Sequence, residues 1–465
     1  MKKKLLARAI GAATVALAAQ QAFGAAFALQ EQNGSGLGNA YAGGAAVAED
    51  ASTVWANPAG MSRFTTIQVA ASVSGVFPSS KFNNDGSLPA FAQPLGGTGG
   101  NGGESAALPA MYLVVPINRA WAFGLGIGVP FGLETLWDDG WLGRYQALQS
   151  KIETLNVNPA ISWRINDQFT VAAGVNWQRI KATFTNNGNY SVALAGAAQQ
   201  AAAGGLITPA QAGAFIAATP GLDSSANVSG DDDAWGWNIG AMWNINPDTR
   251  IGAHYRSAIK YNINGNIEIG NPAVPLPPAL APIGAVLIPA TNAQLASGGV
   301  TASVKLPSIT NVSFYTRLNP KWEVMADAQF TEWSTIQTLD FVRTGPGRAL
   351  PPTPYNFKDT WRLSGGASYF LDDKWKLRGG IAWDESPVND TDRTPRLPDE
   401  DRFWLAAGVQ YAWTKQWKFD LGATYIWVSN PSIDHNGGST PQNGLVKGSF
   451  DNYVFVIGGQ VSYSF

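Results

Sequence analysis

Apolar and polar residues alternate with a period of two along much of the chain, and the final stretch "DNYVFVIGGQVSYSF" carries the pattern most clearly. Tyr453, Phe455, Ile457, Val461, Tyr463 and Phe465 share one parity. Gly458, Gln460, Ser462 and Ser464 hold the other, with Val454 and Val456 as apolar exceptions. Successive side chains of a strand point to opposite faces, so this segment is a strand with one strongly apolar face. A half-buried strand of a soluble sheet has the same period. A strand whose outer face meets lipid adds aromatics at the boundary with water, as this one does.

The alternation recurs around a repeated punctuation. "VPINRAWAF", "RINDQFT", "NINPDTR", "RLNPKWE", "FLDDKWK" and "AWTKQWK" each set a short polar or Pro-containing turn between two alternating stretches. Such turns join antiparallel hairpins. The linkers between hairpins are longer: "NNDGSLPAFAQPLGGTGGNGGESA", an Ala/Gly-rich stretch over about 190–230, and "NPAVPLPPALAPIGAVLIPATNAQLASGG". Short turns at one end and long loops at the other are the asymmetry of an outer-membrane barrel, with the turns periplasmic. Six hairpins predict twelve strands; a first strand near Ile67–Val76 and a last at Tyr453–Phe465 make fourteen. The even number returns both ends of the barrel to the periplasmic side. A β-sandwich also alternates, but it would not separate its linkers so sharply.

Residues 25–64 break the pattern. "FALQEQNGSGLGNAYAGGAAVAEDASTVWANPAGMSRF" is rich in small residues and helical in character around Ala45–Thr53. A lumen of fourteen strands is wider than side chains alone fill, since about eight strands already enclose a packed core. The segment is therefore expected to fold back inside as a plug. Before it, Lys2, Lys3, Lys4 and Arg8 flank a small, apolar run from Ala9 to Ala19, followed by "AFG" at Ala22 to Gly24. This reads as a secretory signal over 1–24, too short to span a bilayer. The expected organisation is signal peptide 1–24, hatch 25–64 and transmembrane barrel 65–465.

Composition narrows the function. The chain has no cysteine, which excludes disulfides and thiolate chemistry, and its net charge of −2 excludes a strongly basic nucleic-acid surface. Only His254 and His435 are available for acid–base work. His435 lies in the loop "SIDHNGGSTPQNG", and His254 lies in "IGAHYRSAIKY", where strand parity turns it with Arg256 and Lys260 toward the lumen. Neither belongs to a catalytic pattern, so no enzyme, cofactor or metal is expected. The same parity places Arg362, Arg378, Asp384 and Arg402 on the lumen face of consecutive strands, where charges are ordinary. Their expected task is to seat the hatch, with Arg256 and Lys260 pairing with hatch carboxylates such as Glu49 and Asp50 or with neighbouring strands. The lesser alternative is contact with a substrate carboxylate.

"SGLGNAY" near the mature start, Asn57, Pro58 and Ala59 at the end of the plug, "WDESPV" (Trp383–Val388) and "LPDEDRFWLAAG" (Leu397–Gly408) together resemble the FadL family of outer-membrane transporters for long-chain fatty acids and other hydrophobic compounds. The likeness runs over the whole mature chain. It implies a fourteen-stranded barrel with an N-terminal hatch, passive uptake, and Phe27 lining a pocket against the hatch. The family's third strand is kinked and opens the wall sideways. Here "WAFGLGIGVPFGLETLW" places Gly124, Gly126, Gly128, Pro130, Phe131 and Gly132 in the third strand, and proline there removes a ladder hydrogen bond. A lateral opening is thus expected at Pro130, Phe131 and Gly132. The chain departs from the family at its carboxylate-binding cations, whose places fall near Asn186 and Thr353, with Lys181 and Lys358 only nearby. That departure raises neutral substrates such as monoaromatic hydrocarbons, which need no cation.

The partners expected are a hydrophobic small molecule, the outer-membrane lipid and its lipopolysaccharide, and the insertion machinery, reached through the last strand ending in Phe465. The rival functions are a general porin and, third, an outer-membrane lipid hydrolase. A porin keeps an open aqueous channel. Low charge and a plug-like segment weigh against it.

Overall fold

The computed structural model describes residues 26–465; the signal segment expected over 1–24 lies outside the described residues. Fourteen antiparallel strands close a barrel. They are β1 (Gln68–Asn84), β2 (Ala106–Pro116), β3 (Trp121–Gly128, resuming at Gly132–Leu136), β4 (Gln149–Arg164) and β5 (Phe169–Asn189). β6 (Asp223–Asn244), β7 (Thr249–Arg256, resuming at Ile259–Gly270) and β8 (Gly298–Leu306, resuming at Ile309–Asn319) follow. β9 (Trp322–Thr331, resuming at Phe341–Arg343), β10 (Thr360–Phe370), β11 (Trp375–Asp384), β12 (Arg402–Ala412), β13 (Trp417–Val428) and β14 (Val446–Ser464) complete the wall. β14 pairs with β1 from Gln68↔Ser464 to Asn84↔Gly448, so the sheet closes on itself.

All six short turns join the strands that the alternation assigns to them. The tryptophans after the turns have a structural reason. They face outward and stack across neighbouring strands: Trp121 on Trp163 (5.6 Å), Phe169 on Trp243 (5.9 Å), Trp375 on Tyr411 (4.5 Å) and Trp417 on Tyr463 (4.6 Å). A second row lies toward the loop end, with Trp237 on Tyr255 (5.2 Å), Phe330 on Trp361 (4.9 Å) and Tyr425 on Tyr453 (5.7 Å). Between the rows, Ile239, Val312, Leu363, Ile381, Leu405, Leu421 and Ile457 are exposed. Two aromatic girdles around an apolar band are the outer face of a membrane barrel, and multi-pass insertion in the bacterial outer membrane follows.

Two expectations change. The linker expected over about 190–230 is shorter: it holds helices α1 (Tyr190–Ala203) and α2 (Pro209–Ala217), and β6 already begins at Asp223. The Pro-rich linker holds α3 (Ala281–Gln294). Tyr190, Leu194, Phe215, Ile283 and Leu287 pack these loop helices together. The other change is Lys260. Ser257 and Ala258 interrupt β7, and the inward parity passes from His254 and Arg256 to Ile259, Tyr261 and Ile263. Lys260 therefore faces outward and is exposed, away from the lumen.

Candidate functional site

The wall is incomplete beside β3. Met111–Pro116 of β2 pair with Ala122–Ile127, but Ala106–Ala110 of β2 pair only with β1. The second piece of β3, Gly132–Leu136, pairs with β4 on one side; on the other it has no wall strand, and only Thr135 and Leu136 meet the loop between β1 and β2, by a bridge to Gly103 and a hydrogen bond to the Gly102 carbonyl (3.1 Å). Pro130 explains the break: it has no N–H for the ladder, and the chain turns away at Val129–Phe131. Thr154 holds the turn, its hydroxyl accepting from the Phe131 N–H at 3.0 Å and donating to the Phe131 carbonyl at 2.6 Å.

The first described residues occupy the vacated edge. The Gly132 N–H donates to the Phe27 carbonyl (2.8 Å), the Leu29 N–H donates to the Pro130 carbonyl (2.9 Å), and Ala28 bridges to Phe131. Gln32 donates through Nε2 to the Val129 carbonyl (2.6 Å), and the Tyr112 hydroxyl donates to the Gln32 carbonyl (2.7 Å). Glycines on the inward face of β3 let the segment come close. A Cβ at Gly124 would lie 2.2 Å from Met61 Sδ, and one at Gly128 would lie 2.6 Å from Gln32 Oε1.

The rest of the segment rests against inward-facing residues around the barrel. Arg362 donates to the Ala40 carbonyl (2.9 Å) and lies over the Trp404 ring (4.8 Å). Arg378 bonds Glu49 (2.8 Å) and Asp420, and Lys376 also reaches Glu49. Burial pushes the Glu49 carboxyl up, but Arg378 and Lys376 together hold it well below the usual carboxylate range. Arg256 does not meet Glu49 or Asp50. It lies over the Trp55 ring (3.6 Å), donates to the Trp55 carbonyl (3.2 Å) and bonds Asn176. Arg402 pairs with Asp399, whose other oxygen accepts from the Ala26 N–H at 2.8 Å. Asn57 donates to the Ala45 and Ala241 carbonyls (2.8 and 2.9 Å) and accepts from the Ala59 N–H (3.0 Å). Pro58 then opens the 3-10 turn Pro58–Arg63 that leads to β1.

A cavity of about 960 Å³ of empty space, partly open to solvent, lies toward the loop end. Leu133, Ile180, Phe184, Ile263, Phe341 and Phe27 are among its apolar walls. Phe27 packs edge-on against Trp333 (4.8 Å) and near Phe131 (6.1 Å), so one side chain belongs to both cavity and wall break. Tyr355 lines the same cavity, and beside it stands Arg396. Arg396 donates to the Gln149 carbonyl (3.3 Å), Ser150 Oγ (3.2 Å) and Asn186 Oδ1 (3.2 Å), but pairs with no carboxylate among the described residues. Burial pulls its guanidinium below the usual value, partly offset by Tyr355.

Arg396, Trp333 and Lys376 were invisible as site residues in the sequence. Arg396 comes from the loop "DRTPRLPDEDR", whose other arginines do have acidic partners. His254 is buried against the polar side of the segment, and His435 Nδ1 lies 2.7 Å from Gln146 Oε1.

Comparison with known proteins agrees with this architecture. The family model described as outer membrane protein transport protein (OMPP1/FadL/TodX) matches residues 15–465. The long-chain fatty acid transport protein of Escherichia coli (strain K12) is 33% identical over 467 positions, covering 98% of this chain and 100% of the relative. Outer membrane protein P1 of Haemophilus influenzae is 30% identical, covering 89% of this chain and 88% of the relative. Among solved structures, a Pseudomonas aeruginosa FadL homologue superposes with a TM-score of 0.80 at 25% identity, over 95% of this chain and 100% of the other. The Pseudomonas putida toluene transporter TodX shares the fold, with a TM-score of 0.64 at 16% identity over 93% and 98% of the two chains. By sequence, by strand topology and by the segment folded inside the wall, the chain belongs to the OMPP1/FadL/TodX family of outer membrane transport proteins.

Proposed function

We propose that this protein takes up hydrophobic compounds by passive diffusion and releases them sideways through the barrel wall at Pro130, Phe131 and Gly132. The observation that carries the proposal is the double role of Phe27–Leu29. These residues close the edge of β3, and Phe27 also lines the apolar cavity. A shift of the segment would join cavity and wall gap in one step. In this reading residues 25–64 are the hatch, and Arg362, Arg378 and Arg402 seat it. Substrate first meets the apolar surface of the loop helices, where Leu206 and Val286 are exposed. It then enters the cavity. A greasy molecule leaves through lipid and avoids an aqueous lumen. The outward aromatics of β14, with Phe465 beyond it, are what the insertion machinery would read.

The names of relatives offer two substrate classes, long-chain fatty acids and toluene. Arg396 favours the first. A half-buried guanidinium with no carboxylate partner is left with unused charge, and a fatty-acid carboxylate beside Tyr355 would complete it. The place near Asn186 that lacks a cation in the sequence receives one from another loop, because Arg396 donates to Asn186 itself. In this reading the preference turns from neutral substrates toward fatty acids. Transport, and not catalysis or open-pore diffusion, is the proposed activity.

A cysteine pair tests the route in this cysteine-free chain. Ala28→Cys with Phe131→Cys would lock the bridge between hatch and wall. Oxidised protein should lose uptake of oleate, and reduction should restore it. Parental uptake by the fully oxidised form would overturn the lateral route. Large ionic conductance of the locked form in planar bilayers would favour a porin.

A further inference from the structure

The register change in β7 has a consequence on the outer surface. Once Ser257–Ala258 reverses the parity, Lys260 faces outward directly opposite Lys305 of β8, and both are exposed. Like charges opposed across two strands repel. Several other outward cations have partners, though among the described residues Lys81 and Lys181 do not: Arg179 meets Asp231 at 2.7 Å, Lys358 meets Glu385 at 3.1 Å, and Lys447 meets Asp434 at 3.1 Å. Among the described residues neither Lys260 nor Lys305 forms an ion pair. The carboxylates on neighbouring segments have other partners: Asp231 pairs with Arg179, Asp233 accepts from the Trp177 indole N–H (3.1 Å), Asp232 accepts from the backbone N–H of Asn262 (2.7 Å) and Glu332 accepts from the Ser308 hydroxyl.

Height on the barrel gives the pair its setting. On the turn side of it, the outward residues are Tyr255, Ala253 and Ile251 of β7 and Val312 and Phe314 of β8, all within the apolar band. On the loop side come Asn262, Asn264 and Asn266, with Ser303 opposite Asn262. The Ser303 hydroxyl lies 3.4 Å from Asn262 Oδ1, which leaves the amide Nδ2 of Asn262 as a donor beside the two ammonium groups. The lysines thus stand where the apolar band ends on the extracellular side, at the depth of the outer leaflet's headgroups.

We propose that Lys260 and Lys305, with the Asn262 amide, form an outward-facing site for a phosphate carried by lipopolysaccharide. Two ammonium groups on adjacent strands present convergent positive charge, and a lysine binds phosphate as a point charge. One phosphate between them removes the repulsion and supplies the missing counter-charge. The acyl chains of the same lipid would lie along the Trp237–Tyr255 face below. The proposal rests on outer-membrane placement and is independent of the transport route.

Native mass spectrometry of the folded barrel in detergent, titrated with phosphorylated lipid A, tests the site. Lys260→Gln with Lys305→Gln should weaken lipid A binding by about tenfold, while Lys260→Arg with Lys305→Arg should keep it within about twofold, the difference expected when charge itself is recognised. Dephosphorylated lipid A should bind the parent as weakly as it binds the double Gln variant. Without lipid, the Gln variant should be at least as heat-stable as the parent, because the repulsion is gone. Equal binding of phosphorylated and dephosphorylated lipid A would overturn the proposal, as would unchanged binding by the Gln variant. Displacement of lipid A by an equal concentration of inorganic phosphate would overturn the assignment to a lipid.

Discussion

At Val129–Phe131 and again at Pro307–Ser308 a proline interrupts a strand of the wall, yet the two places differ in what their neighbours do. Around Pro307, β7 and β8 break together: Arg256 faces Ile309 below the interruption and Ile259 faces Leu306 above it. Each strand skips two residues, so the ladder between them resumes in step. Around Pro130 only β3 breaks. β2 runs straight past, and Ala106–Ala110 lose their partner on that side. Proline in a strand therefore does not by itself make an opening. An opening needs a neighbour that does not follow, and here the vacant edge is taken by Phe27–Leu29, a part of the chain outside the wall.

The largest expected effect breaks this comparison directly. Pro130→Val with Gly132→Val restores a ladder N–H and adds a β-branched side chain that favours extended structure. The variant should fold and show the usual heat-modifiable band, yet lose uptake by more than about tenfold, since one regained strand segment is worth several hydrogen bonds at about 1 kcal/mol each. Pro307→Ala, in the paired break, should leave uptake within about twofold, because surrounding ladder bonds already exist. Retained uptake in the first variant, with the protein correctly inserted, would place the exit at the periplasmic end. Equal loss in both would mean that the two breaks are not different in kind.

A smaller effect separates what the cavity binds from where it opens. Arg396→Gln keeps hydrogen-bonding capacity toward Asn186 and Ser150 but removes the charge. Oleate binding should weaken by about tenfold or more, the usual cost of losing a charge-assisted pair, while toluene binding stays unchanged. Isothermal titration with both ligands reads the split. Equal loss for both would make Arg396 a packing residue of the loop.

The hatch should respond more weakly. Asn57→Ala with Pro58→Ala removes three hydrogen bonds and a proline that fixes the turn into β1. Uptake should be impaired while the barrel still assembles. Parental uptake would count against a gating role for the segment, and loss of the heat-modifiable band would make the turn a folding element.

How far the sequence could be read follows the range of the interactions. Hairpins were legible because a turn and the tryptophan behind it lie within a few residues, and outward aromatics such as Tyr453 and Phe455 mark lipid directly. Lumen positions were legible only while the parity held. Arg362, Arg378 and Arg402 lie on uninterrupted strands and point inward. Lys260 follows a break whose effect on side-chain direction depends on two neighbouring strands. The start of β6 was hidden for another reason: "DSSANVSGDDD" rises beyond the apolar band, so neither face needs to be hydrophobic. Arg396 reaches Asn186 across 210 residues of sequence, a contact that no local spacing announces.

The smallest prediction concerns a proton and sharpens the role of the segment at the β3 edge. Glu31 is buried two residues beyond Leu29, and neither of its carboxylate oxygens has a hydrogen-bond partner. Burial pushes its carboxyl from 4.5 up to about 7, against the opposing pull of its backbone contact, Arg362 and Arg402. A raised value means that the seated segment holds the proton more tightly than the released one. Seating is therefore fully favoured below about pH 4.5 and weakens as pH rises through about 7. Above that window it stays at its weakest. Hydrogen exchange at the Leu29 and Gly132 amides, corrected for the intrinsic pH dependence, should accelerate between about pH 5 and about pH 8. Oleate uptake should rise over the same range if release of this edge limits transport. Glu31→Gln keeps the shape without the charge, and should hold the slow exchange at every pH. An unchanged pH profile in that variant would assign the effect to another group and leave Glu31 as a passive part of the buried segment.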